Sequence, residues 1–203
     1  MRGSPRGLPG LWDKAQRALA RDEVVGYPTD TLYGLAVRPT RRGLERLFAL
    51  KGRPSGSPVS MTFSSWEEVE PFVRLDARRR ADLRERLPGP YTMLLPASDR
   101  ARRTWPAELF GPRGSLGVRI PDHPLARELA RRAGPVTATS ANRHGEPPAV
   151  TATQARRVLE RGVAVYLPAV PRPSGRPSIL VDWTRDPPEI RRRPEIGVDR
   201  PLG

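Results

Sequence analysis

Cysteine is missing from this chain altogether. Its absence excludes disulfides, thiolate nucleophiles and cysteine-ligated zinc. Histidine occurs only at His123 and His144, too sparsely for a multi-histidine metal site. Long apolar runs are lacking as well. The opening MRGSPRGLPG holds no signal-peptide core, and no window approaches the length that spans a bilayer. A soluble cytoplasmic protein is therefore expected. Asparagine appears once, at Asn142, and only two of the 36 basic residues are lysine, one of them Lys51.

What the chain has in excess is arginine and proline, with 25 prolines and a net charge of +14. Charge alone fits equally a solvated basic surface and a surface for nucleotides, RNA or acidic partners. A length of 203 residues suits one substantial core. The expected layout is a flexible leader at 1–9, one domain over 10–193 and a short tail at 194–203.

Periodicity and turn residues predict helices from Leu11, over 41–50, from Ser65, over ARRRADLRERL behind Asp76, over HPLARELARRAG and over TATQARRVLERG. Strands are predicted at EVVGYP, LYGLAV, PVSMTF, YTMLLPA, SLGVRI, PVTATSA, VAVYLPA, SILVDW and EIRRR. Residues 100–114 read as a polar loop with one helical turn. Strands and helices alternate without strict order, which argues for an α/β protein (α+β by some schemes) built on a twisted mixed sheet covered by helices.

Four polar stretches go beyond plain packing. In YPTDTLYGL, Thr29 and Thr31 sit at a proline-fixed bend and could hold a small polar ligand, although ordinary turn chemistry alone accounts for them. In KGRP, Lys51 offers a compact charge and Arg53 a planar fork, a pair suited to a polyphosphate. The dipole at a helix C-terminus also favours cations there, but does not explain a lysine in an arginine-biased chain. The run lacks the pattern of a Walker loop. In ATSANRHGEPP, Ser140 and Asn142 lie where a strand opens into a glycine-containing loop, and offer a hydroxyl and an amide to phosphate oxygens or a metal-bound water. A left-handed loop asparagine is the plainer alternative. A serine nucleophile is disfavoured, because no G-x-S-x-G elbow surrounds Ser140. In GSLGVRIPDHP, Arg119 sits inside an apolar strand and needs a partner: a structural acid such as Asp122 or Asp182, or a substrate carboxylate.

In this order, PTDTLYGL, KGRP, PGPYT, VRIPDHP and SANRHG resemble the YrdC/TsaC family of threonylcarbamoyl-AMP synthases. The match is collinear over about residues 10–193. The resemblance implies a three-layer fold, a twisted mixed sheet flanked by helices with a concave basic groove. It implies ATP, with Mg²⁺ through ATP, L-threonine and bicarbonate as substrates. Lys51, Arg53, Ser140 and Asn142 match the family's catalytic tetrad on the triphosphate. Thr29, Thr31, Thr62, Arg119 and Ser178 match positions around threonine and its carbamate, and Arg193 matches a late arginine that reaches the nucleotide. Ile179, Thr62 and Glu195 depart from the residues usual at their positions. The implied partners are a TsaD-type transferase and its complex, which modifies adenosine 37 of tRNA; direct tRNA contact is left open.

Three rivals stand beside this reading. A carbamoyl-adenylate-forming domain of the hydrogenase-maturation type normally comes with acylphosphatase and cysteine zinc-finger modules, for which this chain has neither room nor cysteine. A non-catalytic RNA-binding module would use the positive charge but would not need Lys51 or Asn142. A paralogue acting on a different carbamate is compatible with Ile179 and Thr62.

Overall fold

The computed structural model describes residues 9–54 and 57–194. The expected leader and tail, with Glu195, lie almost wholly outside the described residues. In chain order the elements are α1 (Pro9–Ala20), β1 (Val25–Pro28), β2 (Tyr33–Ala36), α2 (Arg41–Lys51), β3 (Ser60–Thr62), α3 (Trp66–Val69), α4 (Ala77–Arg86) and β4 (Tyr91–Pro96). They continue with α5 (Asp99–Thr104), β5 (Phe110–Gly111), β6 (Ser115–Arg119), α6 (Pro124–Ala133), β7 (Val136–Ser140), α7 (Ala152–Leu159), β8 (Val165–Tyr166), β9 (Ile179–Asp182) and β10 (Glu189–Arg192).

Helix starts follow local chemistry. Thr40, Asp76 and Thr151 each accept a hydrogen bond from a first-turn amide of α2, α4 and α7. Thr151 and Gln154 form a reciprocal capping box. At α6 the cap is the His123 ring, which accepts from Leu125 N at 3.2 Å. Gly52, in the left-handed region at φ 61°, stops α2 directly after Lys51.

The strands form one mixed sheet in the order β10-β9-β4-β6-β3-β7-β2-β1-β8, with β5 beside β6. Parallel pairs (β1–β8, β3–β6, β4–β9) interleave with antiparallel ones. Period-2 alternation gives each strand two different faces. Tyr33, Leu35, Met61, Met93, Leu95, Leu116, Val118 and Val181 point into the larger core, with apolar side chains of α2, α3, α4 and α7. A smaller core joins α1 and α6 to β1 through Trp12, Leu19, Val25, Tyr27, Leu125 and Leu129. Each fully buried side chain of this size contributes roughly 1.5–3 kcal/mol.

The other face of the middle strands carries Gly34, Ser60, Gly117, Ala138 and Thr92, and stays open. These side chains are too short to fill the space above the sheet. Gly117 is required by the close approach of β3: a Cβ there would lie 2.6 Å from Ser60 Oγ and 3.0 Å from Ser60 Cα.

Two expectations need correction. Residues 100–114 are an ordered connection rather than a polar loop. Buried Trp105 and Leu109 anchor it, and Trp105 lies 4.3 Å from Phe72, centroid to centroid. Within 163–169, only Val165–Tyr166 pairs as strand.

Candidate active site

Above the small-residue face lies a cavity of about 430 Å³. Arg53, Arg119 and Arg192 line it, together with the hydroxyl side chains of Thr31, Thr92, Ser140 and Ser178. No carboxylate is among its lining residues as described. Clustered guanidiniums repel one another and lose water on burial, so the arrangement calls for an anion. The acidities show that strain. Burial lowers the pKa of Arg53, and burial together with nearby Arg119 lowers that of Arg192.

Arg119 reaches the cavity from the end of β6, on the face opposite Val118. Its Nη2 donates to Asp30 Oδ1 at 3.1 Å and to Thr31 Oγ1 at 2.9 Å. The structural acid is therefore Asp30, and not Asp122, which pairs with Arg127, or Asp182, which pairs with Arg185 and Arg191. The β1–β2 turn brings Asp30 over the open face, while Asp182 sits on β9, two strands from β6. The Arg119 side chain is 11% exposed, and its Nε is buried without a hydrogen-bond partner.

Thr29 and Thr31 divide the work of their turn. Thr29 Oγ1 donates to Leu32 O at 2.7 Å and accepts from the Thr31 and Leu32 amides at 3.2 Å, so its hydroxyl is consumed by the bend. Thr31 accepts from Arg119, and its own proton is available to Thr29 Oγ1 or to the cavity. Thr62 is fully buried beneath the site. Its hydroxyl shares a hydrogen bond with Tyr27 at 2.8 Å, and Tyr27, not Thr62, lines the cavity.

At the other wall, Thr92 on β4 and Ser178 beside β9 share a hydrogen bond of 2.7 Å. Arg192 Nη2 donates to Ser178 O at 3.0 Å and to Ser178 Oγ at 3.1 Å. The late arginine on the cavity is thus Arg192, whereas Arg193 is not among the lining residues. A register shift between Ile190 and Arg192 is the cause: it sets Arg192 opposite Leu180, which also lines the cavity. RRRP carries no mark of that bulge. Thr92 belongs to the quoted PGPYT stretch but was not among the expected contacts; its place on a strand facing away from Tyr91 and Met93 is the available signal.

KGRP and SANRHG meet as the resemblance implied, but unequally. Arg53 and Ser140 line the cavity, while Lys51, 4% exposed, and Asn142 stand directly behind. Lys51 Nζ donates to Ser140 O at 2.5 Å, Asn142 O at 2.8 Å and Asn142 Oδ1 at 3.2 Å. Burial, with Arg53 beside it, lowers the Lys51 pKa to about 8. Among the described residues no group of three His, Asp or Glu side chains could hold a metal ion.

Fold and cavity together define a mixed-sheet protein with a cavity whose charged lining is three arginines. Residues 17–194 match the Sua5/YciO/YrdC family model, described as telomere recombination, and the chain belongs to that family. A threonylcarbamoyl-AMP synthase of Chromohalobacter salexigens is 40% identical over 154 residues, 74% of this chain and 81% of that protein. One from Chromobacterium violaceum is 36% identical over 180 residues, covering 86% and 91%. The crystal structure of P. abyssi Sua5 complexed with L-threonine superposes with a TM-score of 0.79 at 27% identity. That match covers 89% of this chain but only 53% of the P. abyssi protein. E. coli YciO, at 22% identity and a TM-score of 0.77, covers 92% and 90% and shares the fold. The mixed sheet with flanking helices is thus the family's own.

Proposed function

We propose that this chain is a threonylcarbamoyl-AMP synthase, a nucleotidyltransferase that makes threonylcarbamoyl-AMP and pyrophosphate from L-threonine, bicarbonate and ATP. Relatives of that name at 36–40% identity support the activity. The observation that carries it is the cavity itself, whose charged lining is three arginines with no carboxylate. ATP, a threonine carboxylate, a carbamate and pyrophosphate are all anions.

The reaction needs no nucleophile from the protein. Threonine's amine adds to carbon dioxide derived from bicarbonate and loses a proton, giving a carbamate. A carbamate oxygen then attacks the α-phosphorus, and the bond to the β-phosphate bridging oxygen breaks to release pyrophosphate. Catalysis is positioning and charge stabilisation. Arg53 and Ser140 take the triphosphate, backed by Lys51 and Asn142. Arg119 and Thr31 take the threonine carboxylate. Thr92, Ser178 and Arg192 close the opposite wall. When Ser178 Oγ accepts from Arg192, the two hydroxyls of the Thr92–Ser178 pair have two protons for one mutual bond. One O–H therefore remains to donate to a ligand oxygen. Mg²⁺ bound to ATP would supply neutralisation of the phosphate charge; the hydroxyl-rich, carboxylate-free lining suits a metal held by the nucleotide rather than by the protein. The product is labile and passes to a TsaD-type transferase for modification of tRNA adenosine 37, with the basic surface available to that complex or to tRNA. Among the described residues no helix is long and apolar enough to cross a membrane.

Pyrophosphate release assayed with ATP and each amino acid in turn, with and without bicarbonate, tests the proposal. Release that needs both threonine and bicarbonate is expected. Release that prefers another amino acid would make the chain a paralogue with a different carbamate, and no release with any of them would refute the activity.

A further inference from the structure

Two of the four residues expected on the triphosphate, Lys51 and Asn142, do not line the cavity. A lysine ammonium has three donors and no acceptor. Here each donor has an oxygen on the same short segment: Ser140 O, Asn142 O and Asn142 Oδ1. The main chain repeats the tie, since His144 N donates to Lys51 O at 2.8 Å. Asn142 is equally committed. Its Oδ1 accepts from Lys51 and from Ser140 Oγ, and its Nδ2 donates to Arg143 O at 3.0 Å and Glu146 O at 2.7 Å. That pattern fixes the amide's orientation, because the reverse would set its NH₂ against the ammonium and its oxygen against two carbonyls.

We infer that Lys51 is a positioning residue, a plug in a three-oxygen cage that shapes residues 140–146 and acts on the nucleotide through Ser140 and Asn142 rather than by touching phosphate. The inference rests on the triphosphate reading of this wall. It gives the asparagine a defined part. Ser140 directs its proton at Asn142 Oδ1 in this structure and must turn it outward to bond a phosphate oxygen. Lys51 stays on Oδ1 and keeps it satisfied while Ser140 turns. It also answers why lysine is kept where 34 of 36 basic residues are arginine. A tetrahedral ammonium fits three converging oxygens at a site 4% exposed, and a planar five-donor guanidinium does not.

Amide hydrogen exchange on the ligand-free protein tests the plug without reference to activity. Exchange over 141–146 is expected to rise about tenfold or more in Lys51→Met, Lys51→Arg and Asn142→Ala, and to stay at the wild-type rate in Arg53→Met. Calorimetric titration with magnesium pyrophosphate supplies the second arm. Lys51→Met and Asn142→Ala should each weaken binding about tenfold, and the double variant should be no weaker than either. Lys51→Met combined with Arg53→Met should multiply the two losses. Unchanged exchange in Lys51→Met alongside lost pyrophosphate binding would overturn the inference and make Lys51 a direct phosphate ligand. Multiplying losses for the Lys51–Asn142 pair would overturn it too. Should Lys51→Met fail to fold, Asn142→Ala and Lys51→Arg carry the same exchange test. A wild-type chain that ignores pyrophosphate would refute the triphosphate reading, while the exchange arm still judges the plug.

Discussion

Two cavities share a wall at Thr31 and Pro177, and they differ in the charges that line them. The second measures about 610 Å³ and is lined by Asp30, Glu85 and Asp122 as well as Arg86 and Arg176. Charges of both signs there offset one another in part. The first, at about 430 Å³, gathers three guanidiniums and excludes carboxylates. Volume does not identify the site; a cluster of guanidiniums in which, among the described residues, only Arg119 has a carboxylate partner does. Asp30 joins the two, because it lines the second cavity while its Oδ1 holds Arg119 for the first.

Breaking that joint should have the largest effect. Arg119→Met removes the contact proposed for the threonine carboxylate and leaves Asp30, 13% exposed at its side chain, without its counter-charge. A loss of about 10²–10³ in kcat/KM is expected. Thermal or urea unfolding should show a destabilisation of about 3 kcal/mol, the lower end for a broken buried pair because the site is partly open. Arg192→Met should raise the KM for substrate by about 10–100-fold, the value of one hydrogen bond to a charged group, while Arg193→Met should change it about twofold at most. Equal effects at 192 and 193 would contradict the bulged register of β10.

Acidity sharpens the contrast next. The Lys51 pKa lies at about 8, below the ordinary 10.5, chiefly through burial. The unfolded chain then binds the extra proton between those values, so stability should rise with pH across about 8 to 10.5. Nucleotide binding should do the opposite, with the KM for ATP climbing as pH passes 8 because a neutral amine has two donors for three oxygens. Steady-state KM and melting temperature measured across pH 7–10 check both signs, and Lys51→Met should lose both trends. His123, buried against Pro171 O with its Nδ1 capping α6, has its pKa lowered from 6.5 by burial. Its contribution to stability is complete above 6.5 and should fade as pH drops below that value, a smaller effect seen in urea titrations at pH 7 and pH 5. The smallest effects belong to the second cavity: Asp122→Asn and Glu85→Gln should leave the KM for ATP and threonine unchanged.

Much of this could be read from the residues. Threonine and aspartate caps, a glycine stop and apolar spacing foretold the main helices, because those signals are local. Lys51, one of two lysines, and Asn142, the one asparagine, each stood out against the composition, and the family resemblance implied that KGRP and SANRHG meet. The misses share a cause in long-range geometry. Asp30 as the partner of Arg119 depends on how the β1–β2 turn lies over β6. The choice between Arg192 and Arg193 depends on a bulge that three consecutive arginines do not signal. Residues 100–114 looked polar because arginines outnumber the two buried anchors, Trp105 and Leu109. Thr62 had the right neighbourhood but lies one layer too deep, behind Tyr27.

The central claim is that the carboxylate-free cavity, and not its larger neighbour, receives the nucleotide. A crystal structure with a non-hydrolysable ATP analogue, Mg²⁺ and L-threonine tests it most directly. The account predicts phosphates against Arg53 and Ser140 and the threonine carboxylate against Arg119. Phosphates seated beside Asp122 and Arg176 would contradict it.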